Sequence, residues 1–321
     1  MKKISLLFSL LCLNISVMAQ MGPFGFGGMQ EANHRMDSLC AEVIRDVNYA
    51  GDESAFHNMD IYLPKNKALA AEGFPVVVHI YGSAWFSNSS KGMADIGTIC
   101  SALVEAGYAV VCPNHRSSMD AKWPAQINDI KAVVRYLRGN AKQYNLDPRF
   151  IGTSGFSSGA HLASVMATSN GVTTGQCGDA TYDIEGKVGN YGDQSSEVFA
   201  CCEWSGPVDL LHMDCDGVAK DAMSPEVAVM GMPKEGNTDN YELLSALYFV
   251  DAKDVPIGIF HGVKDNIVPV CQGERFHDRL VQSGVKTFLV EQPEGGHGFN
   301  MYTPENLQKM VAWFDEARQG K

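Results

Sequence analysis

The sequence predicts an α/β fold, a single domain built on a mostly parallel β-sheet with helices on both faces. Three observations carry that expectation. Short runs of β-branched and apolar residues recur along the chain, too apolar for strands with one face in water. Segments with helical spacing lie between them. The composition, 45% hydrophobic and 19% charged over 321 residues, is that of a globular protein and gives no support to disorder, collagen-like repeats or coiled coil.

Taken in order, Lys2 and Lys3 precede an apolar stretch from Ile4 to Val17, which ends in Val17-Met18-Ala19. A positive start, a short apolar segment and a small residue at its end read as an export signal over 1–19. The stretch is short for a bilayer span, so a retained anchor is the lesser reading. Leu11 before Cys12 gives no lipobox. Residues 20–42, with Gly, Phe and Met crowded between Met21 and Met29, read as a flexible leader, and 43–321 as the folded domain. Val43 to Tyr49 and Asn58 to Leu63 are expected as antiparallel strands, the second closed by Pro64. Phe74 to Tyr81, Tyr108 to Cys112, Arg149 to Ser154, Val198 to Trp204, Val255 to Phe260 and Val285 to Glu291 read as buried strands. Ile127, Ile130, Val134 and Leu137 form one helical face, as do Leu307, Met310, Val311 and Phe314. Thr303 suits an N-cap there and Pro304 the first helical position. The polar, Gly-rich segment from Gly171 to Ser196 reads as a loop insertion.

Lys+Arg is 25 against Asp+Glu 37, a formal net charge of −12. So acidic a chain is poorly suited to a phosphate backbone or an anionic membrane surface, and no nucleic-acid partner is expected. After cleavage of the signal no stable membrane span remains in the sequence. There are nine cysteines, and Cys12 would leave with the signal. Export permits disulfides, but eight cysteines allow 105 pairings. Cys112, Cys201 and Cys202 sit in apolar runs and read as buried small hydrophobes. Cys177 and Cys215 lie in polar sequence and are the disulfide candidates. No CxxC or HExxH spacing appears, so a zinc site has no sequence support.

Gly155-Phe156-Ser157-Ser158-Gly159 matches G-x-S-x-G. It follows an expected strand and precedes Ala160 to Met166, which can be helical. Strand, sharp turn and helix is the geometry that lifts a serine hydroxyl above a sheet, and the flanking glycines leave room for it. Ser157 is therefore the candidate nucleophile. It needs a base, and the base needs a carboxylate to orient it. Asp265 lies just beyond the strand ending in Phe260, at the sheet edge where ligands bind. Asp251 and Asp254 precede that strand, at the wrong end. Of the histidines after Asp265, His277 falls in an expected helix, whereas His297 sits in the Gly-rich loop Glu294 to Phe299, after the last strand. The order Ser157, Asp265, His297 is that of a nucleophile-elbow triad. His161 reads as a core hydrogen-bonding residue, His261 as a shaper of the acid loop, and His79 and His115 as strand residues.

Tyr81-Gly82-Ser83-Ala84-Trp85, preceded by Pro75 to Ile80, resembles the HGGGW loop of esterases. Asp60-Ile61-Tyr62-Leu63-Pro64, the run from Gly155 to Ala163, Trp204-Ser205-Gly206-Pro207-Val208-Asp209-Leu210 and Ser224-Pro225-Glu226 extend the likeness from about Val43 to Phe314. Together they resemble the α/β-hydrolase fold in its bacterial feruloyl-esterase-like (BD-FAE) group, near the hormone-sensitive-lipase and carboxylesterase families. The resemblance implies Ser157, Asp265 and His297 as the triad. It implies backbone N–H groups of Gly82 or Ser83, with Ser158, as the oxyanion hole. Tyr81 stands where the group usually has His, and Ser83 where it often has Gly, which would narrow the space at the hole. Trp85, Phe156 and Trp204 read as pocket walls or as plain core.

The implied activity is that of an exported serine hydrolase of carboxylic esters. Its substrate would be a small-molecule or polysaccharide-linked ester, feruloyl or acetyl esters of plant polysaccharides among them. No cofactor is expected. An amide hydrolase, peptidase or arylformamidase, on the same triad is the rival enzyme. A non-catalytic binding protein is the rival from another class.

Overall fold

The computed structural model describes residues 26–91, 95–215 and 224–320. The expected signal at 1–19 lies outside them. The first described element is a helix, α1 (Phe26–Leu39), followed by β1 (Cys40–Asn48). This corrects the expectation of a flexible leader for the described part of 20–42. Met36 of α1 is fully buried, and that anchorage supplies what the aperiodic Gly- and Met-rich sequence does not advertise.

The sheet continues with β2 (Asn58–Pro64) and β3 (Phe74–Ile80). A short helix α2 (Ser101–Ala106) leads to β4 (Ala109–Pro113), and α3 (Ala125–Gly139) to β5 (Leu146–Phe156). Then come α4 (Ser158–Thr168) and a separate hairpin of β6 (Thr174–Cys177) and β7 (Ala180–Asp183). The hairpin lies inside the stretch expected as loop. After β8 (Cys201–Trp204), three short helices follow: α5 (Pro225–Met230), α6 (Thr238–Leu244) and α7 (Ala246–Phe249). The chain closes with β9 (Ile257–Gly262), α8 (Cys271–Gln282), β10 (Thr287–Gln292) and α9 (Pro304–Gln319).

Eight strands form one sheet in the order β1-β2-β4-β3-β5-β8-β9-β10. β2 is antiparallel to both its neighbours, and all other neighbours run parallel. Side chains alternate across the pleat, so each central strand feeds two cores. In β3, Val76, Val78 and Ile80 join one cluster with Ile127, Ile130, Val134 and Leu137 of α3. Val77 joins the other with Leu103, Val104, Met310 and Phe314. The faces read from helical spacing are thus the ones buried. Thr303 caps α9 by accepting from the Asn306 N–H at 3.2 Å.

Cys215 is bonded to Cys271, tying the loop after β8 to the start of α8. Cys177, the other expected candidate, carries no disulfide. Cys112, Cys201 and Cys202 are free and buried. No described helix is long and apolar enough to cross a membrane.

Candidate active site

The strand register brings four carboxyl ends into line. Ile80 pairs with Gly155, Gly155 with Glu203 and Glu203 with Ile259. The loops that follow β3, β5, β8 and β9 therefore start at one edge, where open α/β sheets bind ligands.

At that edge β5 passes into α4 through Ser157, whose backbone is at φ 55° and ψ −123°. A serine in this region is strained and must be held. The Ser157 N–H donates to the Trp204 carbonyl at 2.9 Å, and the Ser157 carbonyl accepts from the His161 N–H at 3.0 Å. Close packing demands glycine at 159: a Cβ there would lie 2.1 Å from the Ile80 carbonyl oxygen. At Gly82 a Cβ would meet the Phe156 carbonyl oxygen at 2.7 Å and Ser157 Cβ at 2.8 Å. Gly82 is what lets the loop after β3 close onto the elbow.

Three residues distant in sequence converge here. Ser157 Oγ lies 2.9 Å from His297 Nε2, and His297 Nδ1 lies 2.8 Å from Asp265 Oδ2. The other oxygen, Asp265 Oδ1, accepts from the N–H groups of Ile267 and Val268, both at 2.9 Å. Burial opposes the carboxylate's charge, but the imidazole and these two amides hold its pKa below the ordinary value. The carboxylate thus fixes a proton on Nδ1 and leaves Nε2 free to accept from the serine hydroxyl. Acid and base loops are laced together: Val263 N–H donates to the Gln292 carbonyl at 3.0 Å and Lys264 N–H to that of Gly295 at 2.8 Å. His261 closes the acid turn through Nε2 on the Val268 carbonyl, 2.9 Å away.

The loop after β3 lies against the elbow. Ala84 and Trp85 take left-handed φ values of 50° and 59°. Tyr81 stacks on His115 at 4.9 Å, and its hydroxyl donates to the Ser87 carbonyl at 2.9 Å. The Ser83 side chain turns into its own loop, accepting from the Ser87 N–H at 3.4 Å. The Ser83 N–H donates to Ser158 Oγ at 2.9 Å. The Ser158 N–H, in the first turn of α4, has no intrahelical acceptor.

The BD-FAE family model matches residues 59–280. The chain belongs to the BD-FAE family. It is 42% identical to a structure described as a truncated carbohydrate esterase from gut microbiota, with a TM-score of 0.84, covering 88% of this chain and 98% of that one. A bifunctional GH43-CE protein of Bacteroides eggerthii is also 42% identical, with a TM-score of 0.82, over 86% of this chain and 35% of that chain. Among curated proteins, the esterase LipQ of Mycobacterium tuberculosis is 30% identical over 71% of this chain and 51% of its own length. The probable carboxylic ester hydrolase LipM of the same organism is 28% identical over 80% and 56% respectively. The chain thus spans about half the length of these curated relatives. The fold is that of the α/β-hydrolases.

Within this BD-FAE frame, two of three expected wall residues are core. Trp204 is fully buried and stacks on Phe260 at 4.0 Å. Trp85 is 3% exposed and its indole N–H donates to His161 Nδ1 at 3.3 Å. Each belongs to a different core, Trp85 to the cluster with Val76, Val78 and Ile80 and Trp204 to the one with Val77 and Phe260. Phe156 remains half-buried, its ring 4.8 Å from that of His297. His161 gives its Nε2 proton to the Leu244 carbonyl at 2.7 Å, and burial lowers its pKa to about 4, so it is neutral. His277 stands apart, partly exposed beside Asp278.

A buried pair escaped the sequence reading. His79 Nε2 meets Asp95 Oδ2 at 3.0 Å, both side chains being almost inaccessible. Burial, and after it the Asp95 charge, push up the pKa of the Tyr302 hydroxyl, whose ring packs on Phe156 and Trp204. Asp95 belongs to no motif, so no spacing could have signalled it. Among the described residues no group of three or more His, Cys, Asp or Glu side chains could hold a metal ion.

Proposed function

We propose that the protein is an exported serine hydrolase of carboxylic esters, acting through an acyl-enzyme. The observation that carries this reading is the continuous relay from Ser157 Oγ through His297 to Asp265, with spacings of 2.9 and 2.8 Å. Ser157 attacks the ester carbonyl while His297 Nε2 takes its proton. His297 returns that proton to the leaving alcohol, and water then releases the acyl group by the same route. Asp265 holds the imidazole tautomer throughout.

The proposed substrates are feruloyl or acetyl esters on plant polysaccharide. Two structural neighbours, described as a carbohydrate esterase and a bifunctional GH43-CE protein, support this class. So does the site's rim. Phe86, Met119, Ile267 and Phe299 are exposed large apolar side chains on loops that follow β3, β4, β9 and β10. Exposed apolar groups on loops that start at the edge carrying the triad suit an aryl acyl group or the apolar face of a sugar ring. Export is supported by the basic and apolar start of the sequence and accords with the Cys215–Cys271 disulfide.

The test is a panel of p-nitrophenyl acetate, methyl ferulate, acetylated xylan, p-nitroanilides and N-formyl arylamines. Ester turnover is expected, falling on the order of 10⁴-fold or more in Ser157→Ala. Turnover confined to the amides would select the amide-hydrolase reading. Full ester turnover in Ser157→Ala would remove the nucleophile.

A further inference from the structure

One donor of the expected oxyanion hole is already engaged. The Ser83 N–H ends on Ser158 Oγ, 2.9 Å away. Ser158 is 2% exposed and opens α4 directly after the nucleophile. An oxygen that accepts one hydrogen bond still carries its own O–H. Among the described residues no acceptor takes that O–H up. A buried donor without a partner costs free energy in the resting protein. An oxygen that becomes negative beside Ser157 would satisfy it with a charge-assisted bond.

We propose that the Ser158 side chain is itself an oxyanion donor, a role beyond that of its backbone N–H. The proposal rests on the ester-hydrolase reading above. As Ser157 Oγ bonds to the carbonyl carbon, its proton passes to His297 Nε2 and the carbonyl π pair collects on oxygen. That oxygen accepts the Ser158 O–H, and no proton leaves Ser158. The Ser83 N–H donates to Ser158 Oγ and so holds and polarises it. The opposite reading, in which the hydroxyl merely blocks the Ser83 N–H, makes the opposite forecast, because deleting a block speeds the reaction.

Ser158→Thr and Ser158→Val share a branched shape and differ in the hydroxyl. Rates on p-nitrophenyl acetate and the affinity of a phenylboronic acid, which forms a tetrahedral adduct on the nucleophile, are measured for both variants, for Ser158→Ala and for wild type. The expected result is a kcat within about threefold of wild type for Ser158→Thr. For Ser158→Val and Ser158→Ala a loss of about tenfold or more is expected, with KM little changed and boronate affinity reduced in parallel. Equal rates for Thr and Val, or a Ser158→Ala enzyme as fast as wild type, would overturn the proposal. A wild-type protein that hydrolyses no ester would instead strike the underlying reading, while its boronate affinity relative to Ser158→Ala would still decide the role of the hydroxyl.

Discussion

Asp265 and Glu203 are two carboxyl groups at the same sheet edge that burial and partners push in opposite directions. Asp265 has three partners for its two oxygens, and its native pKa lies below the ordinary value. Its contribution to stability is therefore fully present above the ordinary carboxylate range and is lost as pH falls through the lower native value. Replacing it with Asn keeps the shape but permits an N–H to face Nδ1, which selects the wrong tautomer. Asp265→Asn is expected to lose on the order of 10⁴ in kcat and, because the stabilisation by the ionised carboxylate is lost with it, to melt at a lower temperature than wild type at pH 7, checked by kinetics and calorimetry. Glu203 is fully buried, and only its Oε2 is bonded, to the Gly206 N–H at 2.7 Å. Burial raises its pKa to about 8, against a partial pull from that amide. Between 4.5 and about 8 the native state keeps a proton that the unfolded chain gives up, so stability declines as pH rises across that window. Glu203→Gln retains an acceptor for Gly206. Its melting temperature is expected to match wild type at pH 4 and to exceed it at pH 8.

Between neighbouring elements, the contact of α4 with β3 sets the geometry of the elbow. A Cβ at 159 would lie 2.1 Å from one β3 carbonyl oxygen and 2.5 Å from that of Tyr81 just beyond the strand. Both neighbours are backbone and cannot swing aside. Gly159→Ala is expected to destabilise by about 2–3 kcal/mol, read from urea unfolding, and to lower activity in the fraction that stays folded. Elements whose pattern spans several turns or a buried strand were legible beforehand, since α3 and the central strands repeat one period long enough to be seen. The β6–β7 hairpin was not, because its strands have four residues each and lie outside the main sheet. Too little alternation fits into four residues, and the pair is held from outside: the Tyr248 hydroxyl donates to the Gln176 carbonyl and the Tyr182 hydroxyl to Asn240 Oδ1, both at 2.7 Å. Helix α1 was missed for a related reason, its burial resting on Met36 more than on a continuous apolar face.

Across the whole molecule, the Cys215–Cys271 bond closes a sequence separation of 56 residues, a span that includes β9 and the acid loop. Closing a loop of that size costs the unfolded chain conformational freedom worth about 4 kcal/mol. Cys215→Ser with Cys271→Ser is expected to lose about that much in denaturant unfolding, with the triad distances preserved if the laced loops hold them. Chemistry with a local signature could be read from residues alone: G-x-S-x-G between strand and helix, the order Ser157, Asp265, His297, and the helical and strand periods. Turn conformation and periodicity are properties of a few adjacent residues, so a linear string records them. The partner of Cys215, the burial of Trp85 and Trp204, the His79–Asp95 pair and the engagement of the Ser83 N–H by Ser158 Oγ were set by packing. Each joins groups from different elements, 75 residues apart for Ser83 and Ser158 and 140 for His297 and Ser157. At such separations the choice of neighbour depends on how layers fill space and which polar atoms are left to pair, and no local pattern encodes that.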